Sequence, residues 1–331
     1  FCRFAIRGVA IMKVIEFRIP FPSTVEEYRL GQIYMVAKVC SELTDAKDGA
    51  GVESIANENM ADIPEAISKF PTFSSDMCTS SCIYTKKHYH FRSRLPSYVR
   101  VICPKSATFM IEQSWNCFPY GKTEICHPSF SKFKIAIETL NVPAQRDSEG
   151  NIVFDENVLP YTPEELKKRK VQVVDIADSA DVDAGTYSAA TDPKLVASLK
   201  AGRGPLSENW FQQQWGDRPC MIAYKKVVIS CAYFGIAGTV EDYLEGYERS
   251  LFKGTHRKLY SWMDEWFGMT EEQIRAWEQQ MNADMNSRMR LSASVPSSDS
   301  SPMGSSDQLQ ALDDSAHGED PVPDDPSAAK P

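Results

Sequence analysis

The chain lacks any stretch of the ~20 apolar residues that a membrane-spanning helix needs. Its longest uncharged run lies between Lys226 and Glu241 and carries Ser, Gly and Thr, which excludes a helical transmembrane protein. It also lacks a basic excess: 36 Lys and Arg against 45 Asp and Glu leave −9. That balance argues against a nucleic-acid binder, which needs an electropositive face for phosphates. Enzyme signatures are missing as well. There is no G-x-S-x-G, no H-E-x-x-H, and no G-x-G-x-x-G after a strand. Gly121-Lys-Thr123 imitates the end of a phosphate loop, but Asn116 stands where the first Gly is required. Gly202-Arg-Gly204 is too short to mark a dinucleotide site and reads as a surface turn. The chain therefore reads as a non-enzyme, with no catalytic residue, no cofactor and no metal assigned.

Nine Cys, an odd number at irregular spacings, with no secretory signal, fit reduced thiols in a cytoplasmic protein better than a disulfide framework. Cys78-Thr-Ser-Ser-Cys82 followed by His88 and His90 matches no common zinc spacing and reads as a loop and a strand. Residues 1–11 lack a starting Met and mix Arg3 and Arg7 with apolar residues. They read as a leader or fragment end outside the fold. At the other end, Ser292–Pro331 holds ten Ser, six Pro, eight acids, one Lys and no aromatic residue. Its −8 + 1 = −7 accounts for most of the net charge. Such a composition buries too little apolar surface to offset ordering entropy, so 291–331 is expected to be a disordered acidic tail. The folded domain is then 12–290.

Within it, Met12–Pro20 alternates as a strand, and Ser23-Thr-Val-Glu26 reads as a capping box for a helix to about Cys40. That helix would turn Val25, Tyr28, Ile33, Val36, Ala37 and Cys40 to the core. Residues 43–80 read as an irregular excursion with a short helix near 64–69. Strands are expected at 84–92, 98–103, 107–113 and 131–140, then a polar excursion over 141–170 and a strand at 171–177. Helical turns near 193–200 precede the Gly202–Leu206 loop and a long strand over 220–234. Thr239-Val-Glu-Asp242 should cap a helix running to Trp266–Phe267, which Gly268 ends in the left-handed region. Thr270-Glu-Glu-Gln273 should launch a last helix to about Arg290. Strands followed by long helices predict an α+β fold with an antiparallel sheet.

Three positions break the expected pattern. Lys225 shares a strand face with Met221, Ala223, Val227, Ile229 and Cys231. Lys87 shares one with Thr85, Tyr89 and Phe91. Glu278 lies on the stripe of Ile274, Trp277, Met281 and Met285. A charge on an apolar face needs a partner or a ligand. One reading is a Lys–Glu pair at the core edge with snorkelling stems. The other is a cavity in which two ammonium groups hold an anion while Glu278 accepts hydroxyl hydrogen bonds. Such a set suits a phosphate attached to a polyol.

These residues lie among segments that resemble the phosphatidylinositol transfer protein family. The segments are Met12–Tyr34, Trp115-Asn-Cys-Phe-Pro-Tyr120, Asp175-Ile-Ala-Asp178, Gly202-Arg-Gly-Pro-Leu206 and His256–Thr270, in order, within a similarity over about 12–290. The resemblance implies a helix-grip, START-like fold: a curved antiparallel sheet with flanking long helices enclosing one phospholipid, the last helix closing the cavity. It implies a protein that moves phosphatidylinositol or phosphatidylcholine between membranes without hydrolysing it, as a monomer in transient contact with membrane surfaces. The family's inositol-contacting residues match Thr85, Lys87, Asn116 and Glu278. Its phosphate-binding residues match Gln32, Thr123, Thr139 and Lys225.

Its membrane-docking Trp pair is replaced by Tyr233-Phe234. Its thiol near the lipid phosphate falls on Gly121, with Cys117 nearby as a substitute. Its regulatory Ser matches Ser198, which reads equally as a helix-end hydroxyl. Three alternatives stand beside transfer: a sensor or scaffold presenting lipid to a lipid kinase through the tail, an enzyme using the cavity, against which the absence of a nucleophile–base motif argues, and a helix-grip binder of another hydrophobic ligand.

Overall fold

A computed structural model of the chain describes residues 12–45, 50–60, 82–91, 108–182, 184–212, 215–232 and 237–294. The ten-residue strand β1 (Met12–Phe21) leads into α1 (Val25–Leu43). The capping box is one residue later than the sequence suggests. Thr24 Oγ1 accepts from the Glu27 N–H, and Glu27 returns the bond to the Thr24 N–H at 2.8 Å. Ser23 is buried instead. The Ser-Thr-Val-Glu-Glu stretch offers two overlapping boxes, and the backbone turns at the second.

Eight strands form one sheet. Besides β1 they are β2 (Gly51–Asn59), β3 (Ile83–His90), β4 (Phe109–Cys117), β5 (Tyr120–His127) and β6 (Phe130–Pro143), with β9 and β10 below. The short β7 (Gln145–Arg146) and β8 (Ile152–Val153) pair only with each other. After α2 (Pro163–Lys168), β9 (Arg169–Val173) and β10 (Met221–Cys231) complete an order of β2-β3-β4-β5-β6-β10-β1-β9. Every pairing is antiparallel except β1 with β9. The sheet curves and stays open, its two edges being β2 and β9. Together with the helices this is the expected α+β architecture, compatible with a START-like fold.

Several elements depart from the expectations. The 43–80 excursion contains β2, whose polar sequence GVESIANEN hides a strand. β5 was not expected either: the Cys117–Tyr120 turn joins it to β4, and Gly121 blurs its alternation. The 141–170 excursion includes α2, capped by Thr162 and Glu165. It covers one face of β1 and β10, where Tyr161 and Arg169 both donate to buried Glu16. The strand expected at 171–177 lies at Arg169–Val173. The expected strand at 98–103 and helix near 64–69 lie outside the described residues.

On the other face of β1 and β10 packs α3 (Ala237–Ser261), with Phe17 and Phe252 in edge contact at 5.3 Å. It starts two residues before Thr239, so Thr239 is inside the helix. It breaks at Trp262 before the four-residue α4 (Met263–Trp266). Gly268 has φ +82°, the left-handed stop the sequence predicts. The second capping box also forms: Thr270 and Gln273 exchange hydrogen bonds at 2.8 and 3.3 Å. It launches α5 (Glu271–Ser294), which runs four residues past Arg290, into what the composition assigns to the tail. α5 lies along α1, with Trp277 stacked on Tyr34 at 4.9 Å. Arg288 reaches the Ser41 and Thr44 carbonyls at the α1 C-terminus. Residues 1–11 and 295–331 lie outside the described residues. Among the described residues, no helix is long and apolar enough to cross a membrane.

Candidate functional site

Strand alternation and curvature together make a cavity of about 1230 Å³ between the sheet and helices α1, α3 and α5. This exceeds the ~300–1,000 Å³ usual for small-molecule pockets. Each strand presents every second residue to it: Thr85, Lys87 and Tyr89 from β3, Glu112, Ser114 and Asn116 from β4, Ile135, Ile137 and Thr139 from β6. The α1 residues expected in a core, Ile33, Val36 and Cys40, also line it. Apolar residues facing a cavity and those facing a packed core have the same sequence periodicity.

All eight head-group candidates (Gln32, Thr85, Lys87, Asn116, Thr123, Thr139, Lys225 and Glu278) line this one cavity. They are drawn from α1, β3, β4, β5, β6, β10 and α5. Their environments differ. Lys225 is 7% exposed and donates to Thr139 Oγ1 at 3.3 Å, with its ammonium 5.1 Å from the Phe252 ring centre. Burial lowers its pKa to about 8, with Glu248 opposing the shift.

Lys87, also buried, has Cys40 Sγ at 3.7 Å. Burial alone would lower its pKa, but Cys40, Glu112 and Glu278 outweigh it and hold the ammonium above its ordinary value. Thr123 and Ser114 share a hydrogen bond at 2.9 Å. Glu278 pairs with Arg275 at 3.0 Å. Asn116 is exposed, its Oδ1 beside Gly121.

Adjacent lysines separate the two readings of a buried charge. Lys226 is the core-edge pair: its ammonium lies 3.0 Å from Glu138 and 3.4 Å from Glu165, on the face of β10 away from the cavity. Lys225, one residue earlier, faces the cavity and has no ion pair among the described residues.

Sequence reasoning missed three charged residues here. Glu248 on α3 is 1% exposed, and its Oε2 has no hydrogen-bond partner. Burial raises its pKa to about 7. Its spacing from Leu244 and Phe252 would have placed it on the apolar stripe. Glu112, two residues before Ser114, accepts from the Tyr89 hydroxyl at 3.1 Å. Arg275 lines the cavity as the partner of Glu278.

The remaining candidates lie elsewhere. Ser198 is buried in a loop rather than at a helix end. Its Oγ donates to Asp264 at 2.5 Å and its backbone pairs with Arg203. Cys117 is no free thiol: it is bonded to Cys82, which corrects the expectation of reduced cysteines at this pair. β3 and β4 are adjacent antiparallel strands, and Cys82 and Cys117 flank the register pair Ile83–Asn116 at their ends. Cys40, Cys126, Cys220 and Cys231 are free. Tyr233 and Phe234 lie outside the described residues, as does Cys78.

The phosphatidylinositol transfer protein family model matches residues 12–283. The chain belongs to that family. It is 37% identical over 279 residues to phosphatidylinositol transfer protein 1 of Dictyostelium discoideum, covering 84% of this chain and 96% of that one. It is 37% identical over 274 residues to cytoplasmic phosphatidylinositol transfer protein 1 of Drosophila melanogaster, covering 83% and 90%. The beta isoform of Rattus norvegicus is 33% identical over 283 residues, covering 85% and 95%. Family membership thus rests on nearly the whole folded domain, cavity-lining strands and helices included.

Proposed function

We propose that the chain binds one phosphatidylinositol or phosphatidylcholine in this cavity and carries it between membranes. The observation that supports this reading most strongly is the pair Lys87 and Lys225: two buried ammonium groups facing one largely apolar cavity. A phospholipid satisfies both requirements, with chains against the apolar walls, phosphate against Lys225 and polar head-group atoms beside Lys87. Lys225, Thr139, Thr123 and Gln32 take the phosphate; Thr85, Lys87, Asn116 and Glu278 take the inositol hydroxyls. Arg275 must then share Glu278 with the sugar.

Acyl chains supply the affinity. Burying roughly 30 methylenes at ~0.8 kcal/mol each outweighs a few head-group hydrogen bonds of about 1 kcal/mol apiece. The head group decides which lipid is preferred. Exchange needs an opening, and α5, which lines the cavity with Arg275 and Glu278, is the element that moves.

The test is transfer of each lipid between liposomes. A choline head group makes no use of the inositol-contacting set. Lys87→Ala and Glu278→Ala should therefore lose phosphatidylinositol transfer while phosphatidylcholine transfer persists. Equal loss of both lipids would contradict the head-group assignment.

A further inference from the structure

Glu53, His88 and His90 form a cluster outside the head-group set, although His90 also lines the cavity. Glu53 on β2 is the register partner of His88 on β3, and His90 follows two residues later on the same face. His88 alternates with the cavity-facing Lys87 and Tyr89, so its ring lies on the opposite side of the strand. Glu53 Oε2 is 3.2 Å from His90 Nε2 and 3.9 Å from His88 Nδ1. One donor atom from each residue lies within 4.8 Å of the other two. A tetrahedral zinc ion with bonds of ~2.0–2.2 Å places its donor atoms about 3.3–3.6 Å apart. Small rotamer changes close that gap.

The surroundings support a site. Phe109 packs against both imidazoles, its ring centre 5.0 Å from His88 and 5.6 Å from His90, which limits their motion. His88 Nε2 is buried without a hydrogen-bond partner, so no network holds the ring in its present orientation. The opposing feature is Lys86, whose charge acts on His88 from the same face. A divalent ion must overcome it with the help of Glu53.

We propose that Glu53, His88 and His90 bind one zinc ion, with a water in the fourth position. The ion fastens edge strand β2 to β3. Asn286 of α5 bonds both the N–H and the carbonyl of Ser54 at 2.8 Å, one residue from Glu53. The metal therefore steadies the strand on which the closing helix rests. Two imidazoles and one carboxylate are a donor set zinc accepts, and His90 also lines the lipid cavity, so the ion sits at its wall, where β2 meets β3.

The full chain, stripped with a chelator, would be titrated with Zn²⁺ by calorimetry and with Co²⁺ by absorption. One ion per chain is expected, with four-coordinate Co²⁺ bands and no thiolate charge transfer. Glu53→Gln, His88→Ala and His90→Ala should each weaken binding at least about tenfold, the loss that even a supporting partner costs. Zn²⁺ should also raise the Tm of the wild-type chain and leave that of the variants unmoved, a reading independent of affinity. Binding that ignores these substitutions, a thiolate band, or no binding at millimolar Zn²⁺ would each overturn the proposal.

Discussion

Lys225 and Thr139 face each other as register partners on β10 and β6, joined by a 3.3 Å hydrogen bond inside the cavity. The pairing positions an ammonium and a hydroxyl side by side on the concave face. A phosphodiester is common to inositol and choline lipids. Lys225→Met should therefore slow transfer of both, unlike Lys87→Ala. The loss of one charged hydrogen bond, about 1.5–3 kcal/mol, predicts roughly a 10- to 100-fold fall. Liposome transfer of each lipid measures it, and a fall confined to phosphatidylinositol would contradict the phosphate role.

Two of the buried titrating groups of the cavity act in opposite directions with pH. Glu248 has its folded pKa raised from 4.5 to about 7 by burial. Its stabilising contribution is full below about pH 4.5 and lost as pH rises through 7. Lys225 has its folded pKa lowered from 10.5 to about 8, so burial of its charge costs stability that returns between pH 8 and 10.5. Glu248→Gln should remove this loss, so that the variant gains stability relative to the wild type between pH 4.5 and 7, by a few kcal/mol at most, while buried His256 contributes the opposite slope to both. Denaturant unfolding of lipid-free protein across that range reads the change; an unaltered slope would contradict it.

Helix α5 packs its apolar stripe against the fold and lines the cavity with Arg275 and Glu278. Ile274 and Met285 are fully buried, and Trp277 stacks on Tyr34. Deleting residues 271–291 should uncover apolar cavity wall and raise the fraction of protein that sediments with phospholipid vesicles. Unchanged sedimentation would remove α5 as the gate.

The loop carrying Ser198 is pinned by Tyr260, whose hydroxyl donates to the Arg203 and Val196 carbonyls at 3.2 and 3.3 Å. Gly204 has φ +87°, and a Cβ there would lie 1.7 Å from that hydroxyl oxygen. Gly204→Ala should cost about 3 kcal/mol or more, backbone strain and overpacking together. Gly202→Ala, at φ +63° in open space, should cost only the left-handed penalty of about 1–2 kcal/mol. Thermal unfolding compares the two, and equal losses would contradict the packing argument. A phosphate on Ser198 would meet the Asp264 carboxylate, so modification there requires this loop to open.

Much of the architecture is legible in the sequence where local rules act alone. Gly268 ends a helix and the Thr270–Gln273 box starts one because both depend on a few neighbouring backbone groups. β2 is not legible, because an edge strand with a polar sequence has no apolar face to reveal it. β5 is hidden by the turn and glycine at its start. The cavity is half legible: period two puts Lys225 among apolar neighbours, but the same rule applied to Lys226 shows nothing of Glu138 and Glu165 on its other side. Which lysine is paired and which faces the cavity depends on a strand and a helix 60 and more residues away. Glu248 obeys the helical spacing and could have been found.

The most direct measurement of the central claim is native mass spectrometry of residues 12–331 as purified, with the bound molecule identified by fragmentation. The account predicts one phosphatidylinositol or phosphatidylcholine per chain. An empty chain, or one carrying a sterol or a free fatty acid, would leave the fold intact and contradict the proposed site.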